Sequence, residues 1–117
     1  MKPLTRVRKI CLALPEATEK EAWGAPTFRV RDKMFAIYAE NHHGDGRIAL
    51  WCNAPVGAQQ VLVHAEPDRF FVPPYMGPRG WIGLLLDQLD DDAVAQHARE
   101  GYRKVAPKKL LALLPED

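Results

Sequence analysis

A chain of 117 residues, 47% hydrophobic and 26% charged, has the length of one domain spanning 1–117, and its composition excludes disordered, collagen-like and fibrous classes. Its formal charge of +1 neither demands nor rules out a nucleic-acid partner, because such binding depends on where Lys and Arg cluster rather than on their sum. Cys11 and Cys52 form no C-x-x-C pair and have no histidine at metal-ligand spacing, so they read as small buried apolar residues of a reducing compartment. The charged start from Met1 to Lys9 lacks the apolar stretch of a signal peptide, and no apolar run approaches membrane-spanning length. The expectation is a cytoplasmic protein with no membrane association.

In chain order, Val7, Ile10, Cys11 and Leu14 recur at helical spacing, predicting a helix from Thr5, as N-cap, to Leu14, stopped by Pro15. Lys2, Arg6 and Lys9 fall on its outer, solvated face. Residues 15–26, with Glu16, Glu19, Glu21 and Trp23-Gly24, read as a short helical turn running into a loop, with Trp23 over the core edge. Alternation from Thr27 to Val30 and from Met34 to Ala39, around Arg31-Asp32-Lys33, predicts a β-hairpin whose exposed face and tip carry Arg29, Arg31 and Lys33. Charged side chains commonly guard such exposed edges.

Asn41 to Gly46 is a loop by composition, and its His42-His43 pair reads as no metal site, since neighbours in sequence rarely converge on one ion without further ligands. Arg47 to Cys52 alternates as a third strand, with Ile48, Leu50 and Cys52 on one face and Arg47, Ala49 and Trp51 on the other. A helix is expected from Pro55 to His64. The run Phe70 to Ile82 holds four aromatics, and its three prolines and two glycines forbid a regular helix. It leads into an almost continuously apolar strand, Trp81 to Leu86, of the kind that lies centrally in a sheet. Asp90 or Asp91 then caps a long helix whose buried face holds Val94, Ala98, Gly101 or Tyr102, and Val105; Pro107 ends it before a short amphipathic turn, residues 108–114.

The chain contains no serine, which excludes serine acyl transfer, and Gly77, Gly80 and Gly83 open no phosphate-cradling helix. Glu16, Glu19, Glu21, His42 and His43 show no acid/base partnering, so no catalytic residue, cofactor or metal is assigned and the chain reads as a non-enzyme. What remains is arginine beside aromatics, with Arg79 near Phe71, Tyr75 and Trp81, a combination able to hold phosphate and stack on a base.

The ordered set Ala13-Leu14-Pro15, Pro26-Thr27-Phe28-Arg29-Val30, Lys33-Met34-Phe35-Ala36, Ile48-Ala49-Leu50-Trp51-Cys52, Tyr75-Met76-Gly77, Gly80-Trp81-Ile82 and Gly101 to Ala106 resembles the MmcQ/YjbR family across almost the whole chain. That resemblance implies an α+β, CyaY-like double-wing fold, an antiparallel sheet packed against N-terminal and C-terminal helices. It also implies no agreed enzymatic activity, the family often being described as DNA-binding. Many members carry His-Trp where this chain has Gly80-Trp81, and Ser where it has Gly101, so no histidine-dependent role carries over.

The leading expectation is a monomeric DNA-binding module, weak and salt-sensitive, using Arg29, Arg31, Lys33, Arg79, Lys104, Lys108 and Lys109 on phosphates. The alternative is a small-molecule or peptide binder with a cleft roofed by Tyr75, Met76 and Trp81.

Overall fold

The computed structural model describes residues 1–114. Six strands form one sheet: β1 (Thr18–Ala22), β2 (Ala25–Val30), β3 (Lys33–Glu40), β4 (Ile48–Cys52), β5 (Phe70–Phe71) and β6 (Ile82–Leu85). Their order is β1-β2-β3-β4-β6-β5, and every neighbouring pair is antiparallel. Both early hairpins close on two-residue turns, Trp23-Gly24 and Arg31-Asp32, in which both residues have positive φ. This is the mirror-image turn whose twist matches that of the flanking strands.

Helices α1 (Pro3–Cys11), α2 (Ala58–Ala65), α3 (Asp91–Val105) and α4 (Lys108–Leu111) complete the α+β architecture. Val7 and Cys11 of α1 and Val94, Ala98 and Tyr102 of α3, all fully buried, pack with Phe28, Val30, Phe35, Leu50, Ile82 and Leu84 of the sheet as the main core. Asp90 caps α3, its carboxylate accepting from the Ala93 N–H at 2.9 Å. Tyr102 stands edge-on to Phe35 and donates its hydroxyl to the Pro15 carbonyl at 2.7 Å, which ties the chain after α1 to α3.

Three expectations are corrected. α1 starts at Pro3 with Lys2 as N-cap and ends at Cys11, because Pro3 supplies a pre-set φ and lacks only an N–H that the first turn leaves unpaired anyway. Residues 18–22 form an edge strand instead of a helical turn. With one side free and few side chains buried, β1 needs no apolar alternation, and its charges protect the edge. Arg6 does not face solvent: it joins α1 to the start of α3, donating to Asp91 and to the carbonyls of Leu86 and Leu89.

His97 of α3 lies against the Phe70 ring of β5, and burial pulls its pKa below the ordinary 6.5, against the opposing pull of Glu100 and Glu66. A histidine held neutral in the folded state binds fewer protons than in the unfolded chain, so its cost to stability is absent well above 6.5 and grows as pH falls below that value. Urea midpoints should decline from pH 7 towards pH 5, and His97→Gln should flatten that decline; an unchanged slope in the variant would assign the loss to other groups.

Candidate ligand cleft on the open face of the sheet

The face of the sheet turned away from α1 and α3 carries a second, smaller core of Ile37, Ala39, Ala49, Trp51, Phe71 and Trp81, with Ala25, Met34, Met76 and Leu85 packed against it. Alternation puts Trp51 here, because its neighbours Leu50 and Cys52 on β4 belong to the main core. Among the described residues, none of the hydrophobic side chains packed in this cluster comes from a helix. The segment between β5 and β6 folds over part of it, and Gln59, buried on α2, fastens that segment by donating to the carbonyls of Gly77 at 2.9 Å and Trp81 at 2.6 Å.

A cleft of about 610 Å³ remains open beside it. The turn between β1 and β2 contributes Trp23, β3 contributes Ile37 and Ala39, β4 contributes Trp51, and the turns after β3 and β5 contribute His42, His43, Tyr75 and Met76. Trp23 and Tyr75 are 81% and 71% exposed. The rings interlock edge to face: His42 stands 5.0 Å from Trp51 and 5.9 Å from Tyr75 between centroids, and His43 Nε2 lies 3.1 Å from the Tyr75 hydroxyl.

Trp23, His43 and Tyr75 all have left-handed backbones, with φ of 53°, 50° and 65°. For bulky side chains that conformation is uncommon and costs about 1 kcal/mol or more each. Strain of this kind concentrates at binding and catalytic sites. Here it coincides with large aromatic groups held in water, which would be better buried were packing the sole requirement.

Among the described residues no Lys or Arg lines the cleft, and Glu40 is its one acidic group. Tyr38 donates to Glu40 Oε1 at 2.7 Å, and burial, aided by that carboxylate, pushes the phenol up to about 12. No three His, Cys, Asp or Glu residues converge as a metal site among the described residues. Burial pushes the Cys11 thiol up to about 12 and Cys52 well above its ordinary value, so neither thiol is activated.

Of the residues expected to roof a cleft, Tyr75 and Met76 line this one, while Trp81, 4% exposed, is packed into the second core. Trp23 does not lie over the core edge: its place in a two-residue turn turns the indole out to solvent. Sequence reasoning left out Trp23, Trp51 and the histidines as cleft residues; the W-G dipeptide between two short strands is the signal that could have raised Trp23.

The basic residues are distributed differently. Arg29 is tucked in, its side chain 13% exposed, with Nε donating to Thr27 Oγ1 at 3.0 Å and an ion pair to Asp32, so it does not share the exposed hairpin face. Arg31 is exposed but grips both carboxylate oxygens of Glu16, which holds that carboxyl below its ordinary range. Lys109 also acts on Glu16. Lys33, Arg79, Lys104 and Lys108 are exposed and make no ion pair among the described residues.

Residues 12–104, well over half of the chain, match the family model described as YjbR. The chain belongs to the YjbR family. A crystal structure of the Deinococcus radiodurans protein DR2400, with the family-model domain DUF419, superposes with a TM-score of 0.74 at 19% identity, covering 92% of this chain and 83% of that one. At that identity the likeness is one of fold. No curated protein matches the chain. Among its described residues this YjbR domain has no helix long and apolar enough to cross a membrane.

Proposed function

We propose that this YjbR domain is a non-enzymatic binding module whose cleft takes a flat, largely apolar group, either a small molecule or an aromatic side chain of a peptide. The observation that carries this is the pair of strained, exposed aromatics, Trp23 and Tyr75, beside a cleft of about 610 Å³. Cavities of roughly 300–1,000 Å³ lined by apolar and aromatic side chains are the usual seats of small ligands. Alanine replacement of a stacking aromatic typically costs about 1–3 kcal/mol of binding.

Titration with indole and with naphthol, followed by ligand-observed NMR, should give saturable binding that Trp23→Ala and Tyr75→Ala each weaken by roughly tenfold. Because both side chains are mostly in water, the melting temperature should stay within about 2 °C of the parent's. Saturable binding that both variants leave intact would place the ligand elsewhere, and no binding of any flat aromatic would remove the reading.

DNA binding is the second reading, and Lys33, Arg79, Lys104 and Lys108, exposed and without an ion pair among the described residues, favour it. Contacts of this type release counterions, so log Kd for a duplex should change linearly with log salt, and Arg79→Ala should lower the slope by roughly one. A salt-independent Kd, or a slope that Arg79→Ala leaves alone, speaks against it.

A further inference from the structure

We propose that the cleft reads a carbonyl oxygen on a neutral heteroaromatic ligand, through the indole Nε1–H of Trp51 and Nε2 of His42. The proposal rests on the cleft being the ligand site.

Trp51 is 4% exposed and lines the cleft, yet its Nε1 is buried with no hydrogen-bond partner among the described residues. Nε2 of His42, on the neighbouring turn, is in the same condition. The two rings meet edge to face, with centroids 5.0 Å apart and planes at 80°. An indole N–H can only donate, and buried donors are paired in the great majority of cases. Two unpaired nitrogens on touching rings in one cleft wall are therefore poorly explained as by-products of packing. An acceptor brought by a ligand satisfies the indole N–H directly, and it satisfies His42 in the tautomer that carries its proton on Nε2.

The charge of the lining selects which acceptor. No Lys or Arg lines the cleft among the described residues, and Glu40 does. A carboxylate or phosphate would lose its water here without a countercharge, whereas a ketone, amide or lactam oxygen gives up far less hydration. The exposed rings of Trp23 and Tyr75 supply faces for the flat remainder of the ligand.

Access follows from the local backbone. Both nitrogens are shielded by the protein, and half-buried His42, which stands edge to face with the Trp51 ring, sits between two left-handed residues, Asn41 and His43, both at φ 50°. In the proposed complex the His42 side chain turns aside to admit the carbonyl.

Three probes of similar shape test this on the full chain by ligand-observed NMR: quinolinone, which has a lactam carbonyl; naphthalene, which has no acceptor; and naphthoate, which carries a charge. Quinolinone should bind roughly tenfold more tightly than either of the others, the worth of one or two added hydrogen bonds. Trp51→Phe keeps a ring and removes the N–H, and should abolish that preference. Should that core variant fail to fold, His42→Phe, at a half-buried turn position, decides instead and should shrink the preference several-fold. Naphthalene binding as tightly as quinolinone, a preference for naphthoate, or a quinolinone preference untouched by either variant overturns the carbonyl proposal and leaves the aromatic cleft standing. Failure of all three probes to bind overturns both.

Discussion

Gly101→Ala should destabilise the domain by up to about 2 kcal/mol, although alanine is the better helix former. The position is on α3, where a Cβ would come within 2.8 Å of the carbonyl oxygens of both Asn53 and Phe35. These are backbone atoms at the junction of β3 and β4, already joined by the Asn53 N–H donating to the Phe35 carbonyl at 3.0 Å, so no rotamer change can clear the space. Replacing Gly by Ala inside a helix is worth up to about 1 kcal/mol in the other direction. Overpacking against fixed backbone costs about 1–3 kcal/mol, so the strain wins. Gly101→Ser should cost at least as much here, since its hydroxyl adds volume at the same place. Urea unfolding would show a lower midpoint at unchanged m-value. A midpoint that rises in either variant would mean that α3 can lift off the sheet at little cost.

That helix also shows how far periodicity carries. Asp90 or Asp91 as cap and a buried face of Val94, Ala98, Gly101 or Tyr102, and Val105 were legible, because a long helix over a sheet repeats its apolar residues every three or four positions; Asp90 is the cap, Gly101 and Tyr102 are both buried, and Val105 is half-buried. The β2–β3 hairpin and β4 were legible for the same reason at period two. β1 was not, since an edge strand is stabilised by its ladder to β2 and leaves almost no apolar trace. Arg6 was misplaced because a charged residue on an amphipathic helix looks solvated, whereas the carbonyls it binds come from the segment before α3.

The cleft was half legible. Tyr75 and Met76 fall in one aromatic run and can be found together. Trp23, His42 and Trp51 come from three separate segments, and only the sheet's register, which sets Ile37 opposite Trp51 and folds the adjoining turns towards one face, brings them together. Exposure misleads as well, since a tryptophan in a sequence is expected inside, and it is the positive φ at Trp23 that turns it out.

Gln59→Leu should both destabilise the domain, by about 2–3 kcal/mol, and weaken binding in the cleft, although Gln59 does not line it. Gln59 is 6% exposed, and its NH2 supplies both hydrogen bonds that fasten the Gly77 and Trp81 carbonyls to α2. Leucine fills the space but leaves two carbonyls facing an apolar side chain. The cheapest relief is for the segment carrying Tyr75 and Met76 to lift away, which spoils one wall of the cleft. Gln59→Glu separates this from a packing effect. At pH 7 the buried carboxylate donates nothing to the two carbonyls, whereas the protonated acid can donate one bond, so the folded state raises the carboxyl pKa above its unfolded value near 4.3. Folding then takes up a proton, and the stability of Q59E should be greatest below about pH 4 and fall as pH rises towards the folded-state pKa. The parent chain, with a neutral amide there, should lack that component. If Q59E is as stable as the parent at pH 7, or if its pH profile merely parallels the parent's, the two carbonyl bonds are not what holds the roof of the cleft in place.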